Sequence, residues 1–150
     1  VNIGILKESR TGEHRVAVNP AIAASWVKDN HKIWVEQGAG LGSSYTDEQY
    51  TAAGVQVADR NTVLKEADLL IQINVPDESL ISSIPQGKAL LSMLYHRSNS
   101  ALIEALNSRN ISTWSLDAIP RISRAQSMDV LSSQSNLAGF RAVILGAHHM

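Results

Sequence analysis

What most constrains the fold of this 150-residue chain is a recurrence: short runs rich in Val, Ile and Leu alternate with segments of helical period. Runs at Asn2–Leu6, Lys32–Glu36, Leu69–Ile73, Ala89–Leu94 and Ile111–Leu116 read as strands, with a weaker one near Val55–Val57. Several are almost continuously apolar, as strands are when both faces of a sheet are covered. Between them lie helix starts. Asn19-Pro20 pairs an N-cap with proline at the first helical position, where a missing N–H costs nothing. Thr46-Asp47-Glu48-Gln49 fits a capping box, and Leu102, Ile103, Ala105 and Leu106 give the segment around 99–108 one apolar face. Strands alternating with helices predict an α/β fold, a mostly parallel sheet flanked by helices on both sides.

The last segment departs from this pattern. From about Ser127 to Met150 there is no proline, and small residues fall at Ser135, Ala138, Gly139, Ala142 and Gly146, on adjoining lines of one helix face. Such a face admits a close neighbour, a second domain or subunit; an ordinary core helix with incidental glycines explains it equally well. The expected division is an α/β domain over 1–126, with a ligand-contacting loop at 117–132, and the start of a long interdomain helix over 127–150. The first residue is Val1, and no stop signal follows the helical pattern at Met150, so the chain is expected to belong to a longer protein.

Composition removes several functions. A net charge of -1 disfavours nucleic acid or an anionic membrane as obligatory partner. The absence of cysteine excludes disulfides, thiolate metal sites and cysteine nucleophiles. No run approaches the ~20 apolar residues that span a bilayer, and the first residues lack the basic start and long apolar stretch of a signal peptide. The five histidines show no metal-ligand spacing.

Gly38-Ala39-Gly40-Leu41-Gly42 follows a strand and invites a dinucleotide-binding reading. Ser43 stands where the G-x-G-x-x-G pattern needs its third glycine, and the next helix signal waits until Thr46. A flexible connecting loop is the expectation there. Chemistry is denser in Asp117–Asp129, beyond the end of the last strand, where ligands of open α/β sheets sit. Arg121 and Arg124 offer planar, fixed donors to phosphate or a carboxamide oxygen. Gln126 donates and accepts at once, Asp129 accepts from an amide or a ribose hydroxyl, and Ser132 does either. The competing reading is that Asp129 and Ser132 cap the last helix. Arg15, just after the first strand, is a second candidate; it binds an anion or pairs with Glu8 or Glu13.

Pro120-Arg121-Ile122-Ser123-Arg124-Ala125-Gln126-Ser127-Met128-Asp129, continuing through Leu131–Gly139, resembles the NAD(H)-binding component of proton-translocating transhydrogenases. Ile3–Glu8, Glu13–Pro20 and Val35–Gly40 resemble the N-terminal domain that these enzymes share with alanine dehydrogenases, and the resemblance runs over essentially the whole chain. It implies a Rossmann- or flavodoxin-like fold. Alanine dehydrogenases carry a substrate-anchoring lysine where Asn74 stands and a catalytic histidine at the position of Tyr95; His96 is one residue too far along. On an extended segment that offset reverses a side chain's direction. The resemblance therefore implies direct hydride transfer between NAD(H) and NADP(H), coupled to proton translocation, with NADP(H) on a partner subunit or domain. Arg121, Gln126, Asp129 and Ser132 would orient the carboxamide and ribose, and Gln126 is the one catalytic position, orienting rather than acid or base. The implied setting is a homodimer on the cytoplasmic side of a membrane, peripheral through its partner components, with the glycine-rich NAD-binding domain outside this chain; this piece alone is predicted to bind NAD(H) weakly or not at all. An alanine dehydrogenase-like oxidoreductase and a non-catalytic dimerisation or regulatory module are the alternatives.

Overall fold

The computed structural model describes residues 1–150. Six strands form one sheet: β1 (Asn2–Ile5), β2 (Lys32–Glu36), β3 (Gln56–Ala58), β4 (Leu69–Ile71), β5 (Ala89–Ser92) and β6 (Ser112–Ser115). Every pairing is parallel and the spatial order is 3-2-1-4-5-6. Of the two expected orders this is the doubly wound dinucleotide-fold order, in which the winding reverses between β1 and β4 and leaves a crevice at their carboxyl ends.

Helices α1 (Pro20–Lys28), α2 (Asp47–Ala52), α3 (Arg60–Glu66), α4 (Glu78–Ser83), α5 (Ser100–Ser108) and α6 (Val130–His148) follow the caps. Asn19 accepts from the Ile22 amide at 2.9 Å, and Thr46 and Gln49 form the capping box. The short helices α3 and α4 are capped by Asp59 and Asp77. Burial follows the period of two along β1. Ile3 and Ile5 face a core shared with Ala23 of α1 and Tyr50 of α2, while Leu6 joins Val63, Leu80 and Leu106 on the opposite face. Tyr50 is fully buried, donates to the Val18 carbonyl at 2.8 Å, and is pushed up to about 12 by its burial.

Coverage on both faces, as expected from the apolar strands, holds for the middle of the sheet but not for its β6 edge. Trp114 is the register partner of Leu91, on the α1 and α2 face, and is 56% exposed because neither helix reaches that far. The long helix begins at Val130 rather than Ser127, after a 3-10 segment over Ser123–Met128. Asp129 sets this start, since its carboxylate accepts from the Leu131 and Ser132 amides at 3.1 Å each. Nor is α6 a core helix of this domain: Leu137, Phe140 and Val143 are well exposed, and a Cβ added at Gly139 or Gly146 would meet nothing within 4 Å.

One glycine fixes how closely α3 lies on the sheet. A Cβ at Gly4, in the central strand β1, would stand 2.7 Å from Ala67 Cβ and 2.9 Å from Val63 Cγ1. Both neighbours are fully buried and have no room to withdraw. Gly4→Ala is therefore expected to lower stability by about 1–3 kcal/mol, the usual effect of overpacking a core. A urea midpoint that stays put at constant m would show that α3 yields freely.

Candidate functional site

The carboxyl edge of the sheet is organised by carboxylates that accept main-chain N–H groups. Glu36, at the end of β2, takes the Lys7 amide at 2.9 Å and pairs with Arg60 Nε at 3.0 Å, while Arg60 Nη2 donates to the Lys7 carbonyl at 3.0 Å. Glu8, just beyond β1, accepts from the amides of Ile73 (2.6 Å) and Asn74 (3.2 Å) beyond β4. It spans the point where the winding reverses. A cleft of about 510 Å³ opens there, lined by Glu8, Arg10, Arg15, Asn74, Asp77 and Tyr95 among others.

The side chains in this cleft are heavily committed to one another. Asn74 Nδ2 donates to Glu8 Oε2 at 2.8 Å and to Glu13 Oε2 at 2.9 Å. Arg15 grips Glu13 through Nε at 2.8 Å and Nη2 at 2.6 Å, and its Nη1 reaches Gln134 of α6 at 3.3 Å. The Arg15 guanidinium lowers Glu13 to about 2, with Asn74 helping and burial opposing, and Arg15 is raised in return. Of the two roles open to Arg15, pairing with Glu13 is the one it adopts, and it ties α6 to the domain as well.

A second cleft, of about 610 Å³, lies between the Tyr95–Ser98 turn and the segment from Asp117 to Arg121. Tyr95 lines both clefts, whereas His96 lines only the second; the segment is a turn with Tyr95 at φ 47°, not the extended strand that the one-residue offset assumes. Asp117 fixes the turn: its Oδ1 accepts from the Leu94 amide at 2.9 Å, the Tyr95 amide at 3.1 Å and the Ser115 hydroxyl at 2.5 Å. Partial burial pushes the Asp117 carboxyl up, but the Ser115 hydroxyl and the two amides outweigh it and the net shift is downward.

Of the four residues singled out in the loop, only Arg121 lines either of the two clefts. Arg121 lines the second cleft, near enough to Asp129 to help lower it. Asp129 and Ser132 are bound to each other: the Ser132 hydroxyl donates to Oδ2 at 2.6 Å, and this contact, with the Ser132 amide, is the main cause of the lowered Asp129 carboxyl. The capping reading is thus realised for this pair. Gln126 and Arg124 are exposed on the 3-10 segment, and Ala125 between them is buried. Sequence reasoning missed the organising roles of Glu8 and Asp117; an acidic residue one to three positions past each strand run was the available signal.

The glycine run is close-packed rather than flexible, which corrects the expectation. Gly38 has φ +72°, and a Cβ at Gly40 would stand 2.8 Å from Tyr45 and Tyr50 atoms; one at Gly42 would stand 2.7 Å from the His14 carbonyl oxygen. The Gly38 amide donates to the Asp47 carboxylate at 2.9 Å. A carboxylate already occupies the place a phosphate would need, so this loop is structural.

The family model described as "Alanine dehydrogenase/PNT, N-terminal domain" matches residues 4–138. An NAD(P) transhydrogenase subunit alpha polypeptide of Rhodospirillum rubrum is 44% identical over 156 residues, covering 99% of this chain and 40% of that protein. An alanine dehydrogenase of Methanococcus maripaludis is 33% identical over 149 residues, covering 99% of this chain and 39% of its own length. The crystal structure of transhydrogenase from Sinorhizobium meliloti superposes with a TM-score of 0.92 at 36% identity, over 99% of this chain and 44% of that one. The chain thus spans about two fifths of the length of these two curated relatives.

Because Glu13 is held near 2 when folded and titrates near 4.5 when free, its contribution to stability is complete above about 4.5 and lost as pH falls towards 2. Glu13→Gln should flatten the fall of the urea midpoint across that window. An unchanged slope would mean that the Arg15 pair is not kept in solution.

Proposed function

We propose that this chain, which belongs to the alanine dehydrogenase/PNT N-terminal domain family, is the first domain of the NAD(H)-binding component of a transhydrogenase that moves hydride between NAD(H) and NADP(H). The observation that carries the choice within the family is the commitment of Asn74. Its amide bridges Glu8 and Glu13, and Arg15 is already paired with Glu13. No ammonium stands at this position to anchor a substrate carboxylate; the cations that line the cleft are Arg15, so paired, and Arg10, and Glu8 lines it beside them. His96 lies in the other cleft, so no imidazole stands there to exchange a proton. The identity of 44% to a transhydrogenase subunit, against 33% to an alanine dehydrogenase, runs the same way.

The residues at this edge suit a nicotinamide end better than a phosphate end. The second cleft falls in the size range of small-molecule sites, ~300–1,000 Å³. Arg121 opens onto it, and Gln126 is exposed on the same loop with an amide that can both donate to and accept from a carboxamide. Bound NAD(H) would supply the carbon that gives or receives the hydride. For that transfer Arg121 and Gln126 need only bind and orient the ring, while Asp129 and Ser132 hold the loop and offer remaining lone pairs to the ribose. Orientation and exclusion of water are the protein's share of such a reaction, and no acid or base is required.

Adenosine and pyrophosphate recognition falls to a further domain, NADP(H) to a partner subunit or domain, and proton movement to membrane components on whose cytoplasmic side this domain sits. No helix here is long and apolar enough to cross a membrane. The bare apolar residues and small-residue face of α6 fit a helix that joins two domains in a dimeric protein. In the assembled full-length enzyme, Gln126→Asn should slow hydride transfer roughly ten- to a hundredfold while NAD(H) affinity changes little, since a small misplacement of a reacting group has that effect. Unchanged transfer would remove Gln126 from the site. Vigorous alanine-dependent reduction of NAD by the unsubstituted protein would sink the transhydrogenase reading.

A further inference from the structure

Four residues other than glycine have positive φ. Asn30 and Asn110 follow the C-caps of α1 and α5, where asparagine commonly turns left-handed to end a helix. Ser44 closes the 3-10 turn after Gly40. Tyr95, at φ 47°, ends no helix and is a bulky aromatic in a conformation that such side chains avoid. Backbone strain of this kind persists only where the surroundings overdetermine it. Here they do: Asp117 takes the amides of Leu94 and Tyr95, the Ser115 hydroxyl braces Asp117, and the Tyr95 carbonyl accepts from the Ser98 amide at 2.9 Å.

The result of that turn is a phenol ring, 47% exposed, that forms part of the wall of both clefts. Arg15 and Asn74 lie to one side of it, Arg97 and Arg121 to the other. The guanidiniums of Arg10, Arg15, Arg97 and Arg121 along these walls are offset by the carboxylates of Glu8, Asp77 and Asp117 on the same walls and by Glu13, which pairs with Arg15. Glycine would meet the backbone requirement without strain, so a tyrosine here is explained by its ring.

We propose that Tyr95 is a stacking residue for the nicotinamide ring, and that it favours the oxidised, cationic form over the reduced, neutral one. This rests on the function proposed above. An electron-rich phenol face attracts a flat cation more strongly than a neutral ring of the same shape. Asp117 is the positioning residue, acting on the ligand only through the turn it holds.

The test is calorimetric titration of the full-length protein with NAD+ and, separately, NADH, alongside its unfolding temperature. Tyr95→Leu is expected to weaken NAD+ roughly three- to thirtyfold, the range of a cation–π contact, and NADH by less. Tyr95→Phe should keep the unsubstituted ratio of the two affinities. Tyr95→Gly should raise the unfolding temperature by relieving the strain and shift the ratio as the leucine variant does. Equal weakening of both forms, or no weakening, in Tyr95→Leu overturns the proposal while leaving the function standing. If the unsubstituted full-length protein binds neither form, the function proposed above fails and this proposal with it.

Discussion

Where the winding reverses, the chain leaves β1 and β4 in diverging directions, and a single carboxylate spans the gap. Glu8 accepts the Ile73 and Asn74 amides, so two loops that would otherwise separate are held as the walls of one cleft. The connection continues outward by hydrogen bonds: Asn74 joins Glu8 to Glu13, Glu13 holds Arg15, and Arg15 reaches Gln134 on α6. Each member satisfies a polar group that partial burial would otherwise leave costly. The long helix therefore takes its bearing from the sheet through this chain of contacts and through its own Asp129 cap.

Under the function proposed above, the same network distinguishes this chain from an amino-acid dehydrogenase on the same fold. A side-chain amide between two glutamates holds loops together; an ammonium in its place would present a cation to the cleft. Fold alone does not make that distinction, since a transhydrogenase and an alanine dehydrogenase resemble this chain over nearly its whole length. We draw it from the commitment of Asn74 and from a histidine that lines the neighbouring cleft.

Local signals in the sequence carried most of the elements. The Asn19 and Thr46 caps lie beside the helices they start, and β2 occupies the span its apolar run predicts, Lys32–Glu36. The overestimates share one cause. The runs at Leu69–Ile73 and Ala89–Leu94 look like strand to their ends, but Glu8 takes the amides of Ile73 and Asn74, and Asp117 those of Leu94 and Tyr95. Those carboxylates are more than twenty residues away, so no local pattern reveals them. The six- and seven-residue helices α4 and α3 are too short for periodicity to announce them. For the site, Arg121 and Gln126 were legible as donors and acceptors, but not that Asp129 and Ser132 would be occupied with each other, nor that Tyr95 would turn left-handed.

We place the nicotinamide end of NAD(H) at the carboxyl edge of this sheet. A crystal structure of the full-length protein with NADH bound tests it most directly. The carboxamide is expected within hydrogen-bond reach of Gln126, about 3 Å, and the ring beside the wall formed by Tyr95 and Arg121. A nicotinamide bound away from this edge, with the loop from Asp117 to Ser132 untouched, would contradict it.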